Sequence, residues 1–212
     1  PGCRFFDIRI GQSVTLTGRC ITKHMGAKIN EIIAGKYDHR GQSVVYGDTD
    51  SVYFTAHKAL QKEIESGKIP WNKESVITLY DKIAKETNTS FTSYMTKAFH
   101  CPSTRGSVIK AGRELVASKG LFITKKRYAV LYYDQEGERV DTAGKEGKMK
   151  AMGLDLKRSD TPVFVQDFLS EILYMVLTGK TEDEVLDRIG EFRSDFKSRP
   201  GWEKGSPKRA NN

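Results

Sequence analysis

Cysteine is scarce in this chain of 212 residues: Cys3, Cys20 and Cys101 stand far apart, with no Cys-x-x-Cys pair. An odd, scattered set supports neither a disulfide framework nor a zinc site and points to a reducing compartment. Long apolar runs are also missing. A membrane span needs about 18 consecutive apolar residues and an interfacial anchor needs an amphipathic basic helix, whereas the longest apolar patterns here have ordinary helical spacing. Membrane attachment is not expected. His24, His39, His57 and His100 lack metal-ligand spacing and are assigned no role; Ser51 lies in no Ser, His and Asp nucleophile motif, so hydrolase chemistry has no support. No internal repeat or low-complexity tract is evident.

What the chain does have is positive charge and enough apolar residues for a core. Lys and Arg total 35 against 27 Asp and Glu, a net charge of +8, and 38% of residues are hydrophobic. Such a balance describes a globular chain with a polyanionic partner, nucleic acid first among the candidates. The length fits one domain plus part of another better than two complete domains. Because the chain opens on Pro1 and closes on "SPKRANN" soon after a helical pattern, a segment of something longer is expected.

Apolar residues Val14, Ile21, Met25, Ile29 and Ile32 recur at helical spacing and predict a helix over 11–34. A β-hairpin follows, with strands over Ser43 to Tyr46 and Ser51 to Phe54 and "GDTD" as the turn. A second long helix, over 72–100, carries Val76, Leu79, Ile83, Phe91, Tyr94 and Met95, and its polar middle "KETNTS" is expected to kink or interrupt it. Composition then shifts towards strands, with a hairpin turn at "DQEG", Asp134 to Gly137, and a loop over Thr142 to Lys148. Near Asp160 the character changes again. Thr161 reads as an N-cap with Pro162 first in a helix that stops at Gly179; Thr181 and Glu184 then form a capping box for another helix, ended by Pro200. The whole reads as α+β, with a boundary near Asp160.

Asp48 and Asp50 stand one residue apart at the hairpin turn, in "SVVYGDTDSVYFTA". Asx-type hydrogen bonding inside the turn is the plain use of such residues. Two strongly apolar strands would nevertheless hold the pair rigidly at one edge of a sheet, where like charges repel unless a cation or proton joins them. Carboxylates on a rigid support suit Mg²⁺, which binds through one or two carboxylates plus substrate phosphates. An EF-hand loop is excluded, since Val52 and Tyr53 stand where a ligand and a Gly are needed.

"YGDTDS", Tyr46 to Ser51, resembles the carboxylate motif in the palm of family B DNA polymerases. "KKRY", Lys125 to Tyr128, is similar to that family's motif against the primer–template duplex, and "MGLDLKRSDTP", Met152 to Pro162, to its segment between palm and thumb. Order and spacing agree across nearly the whole chain, and the resemblance is nearest to the T-even-like bacteriophage enzymes. It implies a palm with an antiparallel sheet and packed helices over 1–160, and the beginning of a helical thumb over 161–212. It also implies template-directed transfer of a nucleotide from dNTP to a primer 3′-hydroxyl with two Mg²⁺ ions, in the cytoplasm of an infected bacterial host. Asp50 would be the metal-binding carboxylate, Asp48 a secondary catalytic contributor, and Thr49 would fix the turn at the nucleotide. Lys125, Lys126 and Arg127 would meet DNA phosphates or minor-groove acceptors, with Tyr128 against the primer's sugar edge. Lys157 and Arg158, like Lys208 and Arg209, are either duplex grips or surface charge. The family's "DxxSLYPS" motif, with the other metal-binding Asp, its "KxxxNSxYG" fingers motif and its exonuclease domain would all precede Pro1. This segment alone is therefore expected to be inactive, its partners being the rest of the polymerase, primer–template DNA, dNTP and, in the complete enzyme, a sliding clamp.

Two other readings stay open on the residues. A glycosyltransferase would explain "DTD" as a metal and nucleotide-sugar site, but not the basic tract. A non-catalytic DNA-binding module would explain the charge, but not the paired carboxylates. The plain alternative for "KKRY" is a solvated basic strand end.

Overall fold

The computed structural model describes residues 7–141, 146–154, 156, 158 and 160–205. Its contacts divide the chain into two compact units, Pro1–Arg113 and Glu114–Asn212. Helices and antiparallel strands coexist in each, which makes the fold α+β.

The first unit is built on two long helices, α1 (Ile8–Ala34) and α3 (Lys73–Phe99), and the hairpin of β1 (Val44–Asp48) and β2 (Ser51–Phe54). α1 starts earlier than 11 because Asp7 caps it, accepting from the Arg9 amide, and it stops where Gly35 turns left-handed at φ 74. Val14, placed on its apolar face by spacing, is exposed, whereas Met25 and Ile29 are buried with Ile83 and Phe91. Val44, Val52 and Phe54 press the hairpin against that cluster. Phe91 is at 1% exposure, and removing such a ring leaves a cavity costing about 3–5 kcal/mol. The short helices α2 (Gln61–Glu65) and α4 (Ser103–Gly106) complete the unit.

α3 runs unbroken through "KETNTS", contrary to the expected kink. The hydroxyls of Thr87, Thr89 and Ser90 bond back to carbonyls of Ile83, Glu86 and Thr87, so they do not offer the backbone a competing conformation. Asn88 instead grips Ala111, donating to its carbonyl at 2.8 Å and accepting from its amide at 2.7 Å.

A buried histidine ties α1 to α3. His24 Nε2 lies 2.9 Å from Ser90 Oγ and Nδ1 lies 2.8 Å from the Tyr37 hydroxyl, while Tyr94 stacks on the ring at 3.9 Å. The Ser90 hydroxyl also lies 2.7 Å from the Thr87 carbonyl; with its one proton on that bond, Ser90 accepts from His24 Nε2–H and Tyr37 donates to Nδ1. Burial, with Lys28 next in effect, holds the imidazole below its ordinary pKa.

The second unit centres on β4 (Arg127–Gln135). β3 (Leu115–Thr124) pairs with its whole length, while β5 (Glu138–Arg139) and β6 (Lys148–Met152) pair with its other edge. The turn at "DQEG" is present as the two-residue loop Glu136–Gly137, both at positive φ. Part of the loop expected over Thr142 to Lys148, residues 142–145, lies outside the described residues; Lys148 already belongs to β6. Nothing in "KMKAM" favours a strand locally. Pairing with β4 imposes it.

α5 (Val163–Thr178) lays Leu173, Tyr174 and Leu177 on Ala129, Leu131, Met149 and Ala151 of the sheet. It begins one residue later than expected, with Pro162 rather than Thr161 at the N-cap, and ends at Gly179. α6 (Glu182–Ser198) has the Thr181–Glu184 capping box that the sequence announces, and α7 (Gly201–Lys204) follows Pro200. Phe164 and Phe168 of α5 face Phe192 and Phe196 of α6, with Phe168 and Phe192 stacked at 3.7 Å. No helix among the described residues is long and apolar enough to cross a membrane.

Candidate metal and nucleic-acid sites

In the first unit β1 runs two residues past its expected end at Tyr46, while β2 keeps the expected bounds. Gly47 pairs with Val52 and Asp48 with Ser51, so only Thr49 and Asp50 form the turn. Val45 is passed over by a bulge between Val44 and Tyr46. Tyr46 and Tyr53 face each other across the ladder at 6.1 Å, which stiffens the neck of the turn. The two carboxylates are held differently. Asp48 is half-buried and accepts from the Thr49 hydroxyl at 3.2 Å, while Asp50 is exposed and accepts from none of the described residues.

Thr49 is the strained member, at φ 42, where β-branched residues are rarely found. Its carbonyl accepts from the Thr22 hydroxyl on α1 at 2.8 Å. Further back, Asn30 is at 1% exposure and closes the loop before β1: Nδ2 donates to the Asp38 carbonyl at 2.9 Å, and Oδ1 accepts from the Ser43 amide at 3.1 Å. Gly41 passes so close that a Cβ there would stand 2.4 Å from the Asn30 amide carbon. Sequence reading missed Thr22 and Asn30. An Asn inside a helix is a weak helix former and was the one available signal.

Two hard oxygen donors on a stiff turn fit a divalent cation as part of its ligand set. They do not complete one, because no cluster of three or more potential ligands occurs among the described residues.

In the second unit "KKRY" is itself a hairpin turn. Thr124 pairs with Arg127, leaving Lys125 and Lys126 as the two-residue loop, with Lys126 at φ 62. Lys125, Lys126 and Arg127 are exposed, whereas Tyr128 is at 8% exposure and its ring stacks on Phe122 at 5.6 Å. Met152 and Gly153, which open "MGLDLKRSD", come alongside. Met152 pairs with Tyr128, and Gly153, at φ 66, faces the Lys126 carbonyl so closely that a Cβ would lie 1.9 Å from its oxygen. Two stretches 24 positions apart thus meet at one basic turn, and Gly153 is the residue that permits it. Arg158 forks onto Asp160, at 2.8 and 2.7 Å, and Lys157 lies outside the described residues, as do Lys208 and Arg209. Arg113 belongs to the first unit and pairs with Asp81.

Residues 2–199 match DNA polymerase family B, and the chain belongs to that family. It is 32% identical over 186 residues to the DNA-directed DNA polymerase of Escherichia phage RB69, covering 82% of this chain and 20% of that protein. The enzyme of the same name from Enterobacteria phage T4 is 26% identical over 215 residues, covering 92% and 22%. DNA polymerase II of Escherichia coli is 28% identical over 188 residues, covering 86% and 20%. The chain spans about a fifth of the length of these relatives.

Proposed function

We propose that this chain is the C-terminal part of a polymerase palm, to about Asp160, with the first part of a thumb from α5 onward, and that it serves template-directed DNA synthesis. The exposed Asp50 carboxylate on a rigid two-residue turn is the observation that carries this reading. Asp50, with Asp48 beside it, would hold Mg²⁺; when bound, divalent cations lower the charge of the triphosphate and favour the primer 3′-oxygen as nucleophile. Thr49 closes the turn on the nucleotide side.

Lys125, Lys126 and Arg127 would contact duplex phosphates or the minor-groove acceptors that every base pair shares, which suits an enzyme indifferent to sequence. Tyr128 supports that turn by stacking on Phe122 and keeps only an edge for the primer sugar. Arg158 would reach DNA by leaving Asp160, with Lys157 beside it in sequence. Family membership supports this reading over a nucleotide-sugar site.

The second metal-binding Asp, the fingers and the exonuclease would lie in the parts of the relatives that this chain does not cover, so the 212 residues alone would not polymerise. Primer extension by the complete polymerase tests the assignment. Asp50→Ala is expected to abolish synthesis while leaving primer–template binding in place; Lys126→Ala is expected to weaken binding and to reduce its salt slope by about 1. Full synthesis by Asp50→Ala would refute the assignment of the turn.

A further inference from the structure

Thr22, Gly26 and Asn30 are spaced four apart on α1, so they form one row along a helix face. Each meets a different part of the hairpin. Asn30 grips the chain before β1, and at Gly26 the Val44 side chain lies beside the helix, 3.7 Å from where a Cβ would stand, an ordinary van der Waals distance. Thr22 reaches the far end, where its hydroxyl lies 2.8 Å from the Thr49 carbonyl and 3.0 Å from that of Gly18, one turn back on its own helix. A hydroxyl has one proton to donate, and the shorter distance is the one to Thr49.

The bond falls at the strained residue of the turn. A β-branched residue at φ 42 keeps that conformation only when its surroundings impose it. The Thr49 carbonyl belongs to the peptide plane that joins Thr49 to Asp50. Holding that oxygen therefore sets the orientation of the plane from which the Asp50 side chain departs. We propose that Thr22 is a positioning residue: by donating to the Thr49 carbonyl it aims the Asp50 carboxylate at the reacting phosphates. Thr22 itself touches neither nucleotide nor DNA in this scheme. The inference rests on the metal-binding reading of Asp50.

Thr22→Val removes the hydroxyl at nearly constant volume, and Thr22→Ser keeps it. In the complete polymerase, Thr22→Val is expected to lower kcat by about 10- to 100-fold, the size of effect that misplacement of a reacting group produces. The KM for dNTP and the affinity for primer–template should change by less than about twofold, because no binding contact is lost. Thr22→Ser should restore kcat, and Thr22→Ala should behave as Thr22→Val. Amide hydrogen exchange without nucleotide or metal gives an independent readout: Asp50 and Ser51 should exchange faster in Thr22→Val and at the native rate in Thr22→Ser. Native kcat and native exchange in Thr22→Val, with synthesis lost in Asp50→Ala, would overturn the role of Thr22 and leave the metal reading standing. Synthesis retained in Asp50→Ala would instead remove the reading on which Thr22 depends.

Discussion

The loop before β1 should collapse energetically if either half of the Asn30–Gly41 contact is altered, but not twice if both are. Asn30→Ala removes three hydrogen bonds: to the carbonyls of Gly26 and Asp38, and from the Ser43 amide. Losing the Gly26 bond is cheap, since that carbonyl still has its helical partner. The Ser43 amide belongs to a residue at 6% exposure, and stranding it costs about 1–3 kcal/mol. With the Asp38 bond adding about 1 kcal/mol, the total is about 2–4 kcal/mol. Gly41→Ala attacks the same bonds from the other side, because its Cβ would fall 2.4–2.7 Å from three Asn30 amide atoms and must push that side chain away. That single change should cost about 1–3 kcal/mol. In an Asn30→Ala background the obstructing amide is gone, so Gly41→Ala should cost no more than about 0.5 kcal/mol. Urea unfolding of the four proteins measures the coupling directly. Additive losses would refute the idea that Gly41 matters because Asn30 occupies the space beside it.

Gly153→Ala is expected to destabilise the second unit by more than about 2 kcal/mol, since the new Cβ would strike the Lys126 backbone carbonyl and L residues are strained at φ 66; a thermal melt within error of wild type would contradict this. The depressed pKa of His24 belongs to a base that is harder to protonate in the folded state. Its stabilising contribution is complete above the ordinary histidine value of about 6.5 and is lost as pH falls below that, through the lower folded value. His24→Phe should therefore flatten the dependence of the urea midpoint on pH below about 6.5, in spite of Lys28, Glu31 and His39 nearby.

Local chemistry was legible in the sequence, and long-range chemistry was not. The capping box at Thr181 and Glu184, the stop at Gly179 and the turn at Glu136–Gly137 use residues within a few positions of each other, so short patterns suffice. The Asp48–Asp50 turn was readable for the same reason. The continuity of α3 was not, because the burial of Thr87 and the outward grip of Asn88 on Ala111 depend on partners that arrive only with the fold. Thr22 bonds to a residue 27 positions away, and Gly153 matters only because β6 pairs with β4. "KKRY" was recognised as a basic motif, but its nature as a turn depends on the register that pairs Thr124 with Arg127.

Iron-directed cleavage tests most directly whether the Thr49–Asp50 turn holds a divalent cation. Fe²⁺ bound in place of Mg²⁺ in the complete polymerase, with ascorbate and peroxide, cuts the backbone nearest to it. Cuts within Asp48 to Ser51, suppressed by excess Mg²⁺ and absent in Asp50→Ala, are the expected result. Cleavage that avoids this turn, or that persists unchanged in Asp50→Ala, would contradict the assignment of Asp50.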